Sequence, residues 1–525
     1  MKFVKRYLAQ GLPQPHVKSL TNRSVFRHDI ALGQQPPVRS NTLQPKMMSV
    51  SMMWPSASTA TSLPVKAIPG SYGPPVVGPL KDRLDYFWFQ GTETFFRSRM
   101  ATYKSSVFRT NMPPTFPFFT QVDPRVIAVL DCSSFSALFD ISLVDKRNVL
   151  IGDFMPSLKF TGGTRVGVYL DPTEPKHKLV KNFCFDILKR SSRVWISEFL
   201  RHSDLMLNNF EKEIDEKGST SFFIPMQKCI FAFLCKGIAG ADPSKSKEIE
   251  DTGFALLDSW LALQLLPTVK TGAIPQPLEE LLLHSFPYPF FFVSGAYRKL
   301  YEFIEKEGQE TIELAESEYN LGKEEAIHNI LFVLGFNAYG GFSIFFNSLI
   351  STIGKDKNGL RPRLKSEVRR VLLNGKRSIN FETVKEMELV RSTVYEVLRL
   401  NPPVPLQYGR ARVDFELPSH DSLFQVSKGE LLCGYQPLAM RDPMVFKNPE
   451  EFVPDRFAKD KELLKYLFWS NGPETSEPTT GNKQCAAKDH VVWTSCMLVA
   501  QIFNRYDSFE CDEAGSSIVK LEKAT

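Results

Sequence analysis

A chain of 525 residues is about three average domains long, and its 43% hydrophobic and 23% charged residues suit a globular protein with a large core. The net charge of +6 is small and sits mostly in the N-terminal segment, and no basic–aromatic stripe occurs, which excludes a nucleic-acid-binding body. The 42 phenylalanines point to an apolar interior or a ligand cavity. Eight cysteines, none in Cys-x-x-Cys spacing or grouped with histidines in a zinc pattern, read as reduced and mostly buried thiols. No run of 18 apolar residues occurs, so no spanning helix is expected, and a peripheral membrane contact stays open.

Residues 1–63 differ from the remainder. Asp29 is the only acidic residue before Asp82, lysines and arginines recur, and 57–62 is a run of Ala, Ser and Thr. That composition fits an organelle transit peptide, and equally a disordered tail or an upstream stretch joined to a chain that starts at Met47 or Met48. The proline-paced segment 63–75 marks a boundary, and 64–525 reads as one large domain. Helices are expected over 82–100, 178–200, 205–216, 298–318, 323–350, 361–373 and 381–400. Short strands are expected over 107–110, 126–130, 423–426 and 431–434. The fold class is mainly α with small β sheets.

Three distant stretches carry chemistry. Glu396 and Arg399 lie three apart on a predicted helix and share a face, a spacing most often found in solvated ion pairs. Arg456 sits in the proline-bounded loop Phe452-Val-Pro-Asp-Arg456-Phe. A Gly/Pro/Thr-rich loop from Ser470 ends at Cys485, and an apolar helical run comes next. A helix N-terminus and the basic neighbour Lys483 favour a thiolate at Cys485, which could attack, be oxidised or bind a metal.

Taken together and in this order, the three stretches resemble the cytochrome P-450 superfamily. The resemblance implies the fold of that superfamily as a single haem-binding domain, a buried triad of Glu396, Arg399 and Arg456, and Cys485 as the axial thiolate of a b-type haem. The cysteine loop departs from the usual Phe-x-x-Gly-x-Arg-x-Cys form: it is longer and ends Asn482-Lys483-Gln484-Cys485. The long helix departs further. Where monooxygenases carry an acid–threonine pair for proton delivery to dioxygen, this chain reads Gly335-Phe-Asn337-Ala-Tyr-Gly-Gly341-Phe-Ser343. Without such a relay, a substrate that already holds an O–O bond is expected.

That pattern resembles one plant branch of the superfamily, the allene oxide synthases, fatty acid hydroperoxide lyases and divinyl ether synthases. The specific matches include Ile68-Pro-Gly-Ser-Tyr-Gly73, Leu170-Asp-Pro-Thr-Glu-Pro-Lys-His177, Gly335-Phe-Asn-Ala-Tyr-Gly-Gly341 and Trp469-Ser-Asn-Gly-Pro-Glu-Thr475. By position, the resemblance implies that Asn337 contacts the hydroperoxide, that Gly340 and Gly341 allow close approach to haem or substrate, and that Lys146, His177, Lys181 and Lys483 hold the haem propionates. In this branch a pocket phenylalanine goes with synthase activity. Here Leu150 occupies that place, and Ser343 stands where synthases tend to have lysine, so both imply a lyase.

The activity implied is cleavage of 13-hydroperoxides of linolenic or linoleic acid into a six-carbon aldehyde and a twelve-carbon oxo-acid, with no dioxygen, NADPH or reductase partner. Divinyl ether synthase, allene oxide synthase and a degenerate haem protein are the alternatives. Phe345-Phe346-Asn347, where relatives usually have Leu-Pro, is a departure that could alter the helix bend. Family habit and the acid-poor N-terminus together imply a plastid location, with an envelope or thylakoid association open.

Overall fold

A computed structural model describes residues 63–115, 117–272 and 274–524, so the expected extension lies outside the described residues except for Leu63. Six helices position the site: α1 (Pro175–Ser191), α2 (Phe223–Leu234), α3 (Lys247–Leu265), α4 (Lys323–Lys355), α5 (Glu388–Leu400) and α6 (Lys488–Arg505). The expected helix over 178–200 is in fact two, α1 and Trp195–Lys217. At the break, the Ser191 and Ser192 hydroxyls turn back onto the carbonyls of Leu188 and Lys189, a local bond that competes with helix continuation. Trp195 then anchors the next helix, buried against Phe233, with its indole N–H donating to Thr494 Oγ1 at 2.8 Å. The stretch 298–318 divides likewise at Gly308, and 82–100 divides at Gln90 and Gly91. Helices α2 and α3, absent from the sequence expectation, are buried on several sides and show no clean polar face.

The main sheet has five strands, β1 (Val107–Asn111), β2 (Arg125–Val129), β3 (Val144–Asp145), β4 (Leu406–Ala411) and β5 (Leu431–Tyr435), in the order β1-β2-β5-β4-β3. Only β2 and β5 pair in parallel, with Ala128 opposite Cys433. Two smaller sheets involve the hairpin 415–426 and the C-terminal hairpin 506–523. Within β5, Gly434 faces the helix Cys132–Ser136 so closely that a Cβ there would lie 2.4 Å from Phe135 Cε2.

The centre of the molecule is α4. It is apolar and long enough to cross a membrane, which corrects the expectation of no such helix, but 61% of its apolar window is buried in the core. Regular α-helix continues through the Phe345-Phe346-Asn347 departure. Both phenylalanines are fully buried, Asn347 Nδ2 donates to the Ser343 carbonyl at 2.6 Å, and the helix runs on to Lys355. The irregularity falls earlier, where Val333–Tyr339 forms π turns.

Replacing Gly434 with valine is expected to lower unfolding stability by about 1–3 kcal/mol through overpacking against Phe135 and Leu138. Denaturant titration measures it.

Candidate functional site

Glu396 of α5 has no solvent exposure, and two guanidinium groups close on it. Arg399 binds it in a fork, Nε to Oε2 and Nη2 to Oε1, both at 2.8 Å. Arg456 Nε reaches both carboxylate oxygens at 3.1 Å, and the Val453 amide donates to Oε1 at 3.0 Å. The expected triad is therefore present and buried, which rejects the solvated-pair reading. The other guanidinium protons go to backbone carbonyls of Met440, Lys447, Asn448, Pro449 and Glu451. The triad thus shapes the segment 440–456. That segment reaches the cysteine loop through Met440, whose Sδ accepts the Phe468 amide. A second tie runs from α5 itself, where the Tyr395 hydroxyl donates to Glu474 Oε1 at 2.8 Å.

Cys485 lies three residues before α6 begins at Lys488, on the irregular end of the loop. Burial raises its thiol above the ordinary value, opposed by the Ala487 amide and by Lys181 and Lys488. The basic neighbour is thus Lys181, not Lys483 as expected. All three Lys483 protons are directed to the carbonyls of Gly167, Val168 and Leu170, at 3.0, 3.1 and 2.8 Å.

The four expected basic residues do gather. Lys146 is 4% exposed, and its Nζ meets only the Tyr408 carbonyl at 2.5 Å. His177 is buried and donates from Nδ1 to the Thr480 carbonyl at 3.2 Å. Lys181, one turn along α1, donates to the Gln484 carbonyl. Burial lowers all four, to about 7 for Lys146 and Lys483 and to about 4 for His177, and lowers Lys181 as well. Mutual repulsion adds to it: Lys483 acts on Lys146 and His177, and Lys181 acts on Lys483 and His177. The nearby carboxylate Asp171 is already held by Arg412, Thr173 and the Lys146 amide. A buried basic group of this kind, with a cysteine beside it and no free anion, fits a ligand that brings its own carboxylates and a metal for the thiolate. The two propionates and the iron of haem meet both needs.

Asn337 is exposed although it sits in the π segment of the central helix, and among the described residues its side chain takes no hydrogen-bond partner. The amide is therefore not satisfied by a neighbouring carbonyl of its own helix. One turn on, a Cβ at Gly341 would meet nothing within 4 Å, so Asn337 and Gly341 share an open face. Gly340 instead turns toward Leu261. The N-terminal half of α4 packs on the segment that Lys483 holds: Asn329 Oδ1 accepts the Gly167 amide at 3.1 Å. Asn337 lies eight residues further, about 12 Å along the axis.

Leu150 is half-buried against the main core and comes four residues after Lys146, which keeps it within about 14 Å of the basic group. Ser343 is not brought to the open face. It is 6% exposed on the opposite side of α4, next to Tyr339. Asp258 and Gln227, also on that side, carried no motif in the sequence and were missed.

For the haem-free chain, the lowered Lys146 carries a signed prediction. Between about pH 7 and its ordinary value of 10.5 the folded lysine is neutral while the unfolded one still binds a proton, so stability rises with pH across that window. Urea midpoints at pH 7 and pH 9 are expected to show this rise in the native sequence, and to show it reduced in Lys146→Met and in the haem-loaded protein, where propionates keep the lysine charged.

Comparison with known proteins bears on what fills this site. A cytochrome P450 family model matches residues 359–474, which hold the triad and the start of the cysteine loop and stop short of Cys485. The chain is 56% identical over 468 residues to a protein of Arabidopsis thaliana named linolenate hydroperoxide lyase, chloroplastic, covering 89% of this chain and 95% of that one. It is 55% identical over 473 residues to the chloroplastic fatty acid hydroperoxide lyase of Solanum lycopersicum, covering 90% and 99%. A chloroplastic allene oxide synthase of Arabidopsis thaliana is 43% identical over 458 residues, 87% of each chain.

Proposed function

Since the chain belongs to the cytochrome P450 superfamily, in the branch of the plant hydroperoxide lyases and allene oxide synthases, we propose that it is a haem-thiolate lyase cleaving 13-hydroperoxides of linolenic and linoleic acid. The products are a six-carbon aldehyde and a twelve-carbon oxo-acid. One observation carries the reading: the open face of α4 offers a single amide, Asn337, with no carboxylic acid, since α4 has none after Glu325, and no hydroxyl from Tyr339 or Ser343, which face the other way. A proton relay for activating dioxygen has nothing on that face to run through, whereas an amide can donate to one oxygen of a bound hydroperoxide and orient it.

Cys485 would hold the iron, and Lys146, His177 and Lys181 would hold the propionates of a b-type haem, with Lys483, anchored on its three carbonyls, adding its charge nearby; the chain has no Cys-x-x-Cys pair for covalent attachment. Bound there, haem supplies one-electron cleavage of the substrate's O–O bond. The triad and the Tyr395–Glu474 bond keep the Cys485 loop in place. Leu150 presents an aliphatic surface with no π face to stabilise a carbon cation, which favours return of oxygen to the carbon radical over its oxidation. The resulting hemiacetal is an isomer of the hydroperoxide and divides into the two carbonyl products with no net electron from outside, so no reductase is required.

The chloroplastic relatives support a plastid location. An exposed apolar patch supports a peripheral lipid contact: Val77, Phe118, Leu281, Phe291 and Phe292 are each more than half exposed. The segments that bear them are tied together by Arg83–Glu280 and by the Phe118 amide on the Ser285 carbonyl.

The haem-loaded chain, given 13-hydroperoxy linolenic acid without NADPH, is expected to yield the aldehyde and the oxo-acid by mass spectrometry. An α-ketol as main product would indicate an allene oxide synthase, an ether acid a divinyl ether synthase, and no turnover a degenerate protein. Leu150→Phe is expected to move product toward the α-ketol, and an unchanged aldehyde fraction would sink the role given to Leu150.

A further inference from the structure

The back of α4 holds a buried polar group that the proposed chemistry does not use. Tyr339 is fully buried there and Ser343 is 6% exposed. Beside Tyr339 is Asp258 of α3, also 6% exposed, whose Oδ2 accepts Gln227 Nε2 of α2 at 2.7 Å. Among the described residues, Asp258 has no ion-pair partner. The Tyr339 hydroxyl, Ser343 Oγ and Gln227 Oε1 are buried without a hydrogen-bond partner at full geometry, three polar atoms on two helices around one acid. Burial pushes the Asp258 carboxyl up to about 7, opposed by Tyr339 and Gln227, and Tyr339 is pushed well up by burial and then by Asp258. Four polar side chains in an apolar interior are costly, and hydrophobic replacements would fill the same space.

Their position along α4 suggests what they do. Tyr339 is the last residue of the π turns that begin at Val333. In the first half, Gly335 lies against α3 so tightly that a Cβ would sit 2.8 Å from Leu257 Cδ1 and 2.9 Å from Trp260 Cζ3. Helix α3 therefore grips the π turns twice, through the bare backbone of Gly335 and through the phenol of Tyr339 beside Asp258. Asn337 is the residue midway between the two grips, displayed on the opposite side. A π turn departs from the α-helical hydrogen-bond register, and such turns recur where a helix must re-aim a side chain at a functional site.

We propose that Asp258, Tyr339 and Gln227 form a positioning network that holds the π turns of α4 and so sets where Asn337 meets the substrate. The proposal rests on the contact assigned to Asn337 under the proposed function. The residues of the network touch neither substrate nor haem. Loss of the phenol hydroxyl removes the electrostatic contact between Tyr339 and Asp258 at one end of the turn, lets α4 relax toward regular α geometry, and rotates the amide away from its aim.

The test uses the full haem-loaded chain and a non-reactive probe, 13-hydroxy linolenic acid, titrated by the change in Soret absorbance. Tyr339→Phe is expected to weaken probe binding at least fivefold and to raise KM for the hydroperoxide more than it lowers kcat. Asp258→Ala is expected to behave likewise, and Asp258→Asn, which keeps an acceptor for the phenol, to recover to within twofold. Melting curves recorded in parallel separate positioning from folding. Tyr339→Phe that melts lower with unchanged probe affinity and an unchanged KM to kcat relation overturns the proposal. Should Tyr339→Phe fail to take up haem, Gln227→Leu gives the same comparison from α2. Asn337→Ala completes the series: if it alone weakens the probe, the network proposal falls; if it too binds the probe normally, the assignment of Asn337 falls first.

Discussion

A single carboxylate, Glu396, has no contact with water and carries two guanidinium groups and a backbone amide on its two oxygens. The pair Glu396–Arg399 is local, three residues apart on α5, but Arg456 comes from a loop sixty residues on. The surplus N–H groups reach five carbonyls of a stretch with little regular structure of its own. That stretch has few other reasons to adopt one path. Burying three charges is expensive, and such a group is kept only when nearly every donor finds an acceptor, as here; removing one partner from such a group costs about 3–5 kcal/mol because it strands a buried charge. The remainder of the site depends on this arrangement, since the segment it shapes leads through Met440 and Phe468 into the loop that presents Cys485.

A second constraint is the cluster of buried basic groups across that loop, whose proton affinities burial and mutual repulsion lower. Lys146, His177, Lys181 and Lys483 come from three separated segments and satisfy their protons on carbonyls, which accept hydrogen bonds and carry no charge to balance. The protein alone leaves the group short of anions, and a dicarboxylate cofactor corrects that. Fold and cofactor are in this respect one electrostatic unit. The two faces of α4 divide the remaining work: one is open and nearly without polar groups, and the other is packed and holds the Asp258 network.

Much of this was legible before any coordinates. The strands 423–426 and 107–111 were placed to within a residue and the helix 360–371 to within two, because their apolar positions repeat at the period of the element, whereas the single helix expected over 381–400 is two, Phe381–Lys385 and Glu388–Leu400. Helices α2 and α3 escaped because burial on several sides erases the periodicity that marks an amphipathic helix. The break after Ser191 was hidden because two serine hydroxyls that cap backwards look, in sequence, like any polar residues on a helix. Among the site residues, Glu396, Arg399 and Arg456 form one buried triad, and Lys146, His177, Lys181 and Lys483 gather into one basic group. The Ser343 hydroxyl turns from the open face and the Lys483 ammonium from the Cys485 thiol, since a side chain's direction depends on the partner it finds.

The sequence by itself determined which groups the protein possesses: a cysteine after an irregular loop, an acid and two arginines in fixed order, and a central helix whose middle lacks an acid–hydroxyl pair. These come from residue identity and spacing, and folding cannot change them. Tertiary structure alone decided which way those groups face. It turned Lys483 from the thiol to three carbonyls, brought Lys181 beside Cys485 instead, opened the Asn337 face and closed the Ser343 face. The reason is that each direction is set by a partner distant in sequence: the carbonyls of 167–170 for Lys483, the Gln484 carbonyl for Lys181, and α3 against Gly335 for the π turns of α4. A contact between elements some eighty residues apart leaves no local trace in either of them.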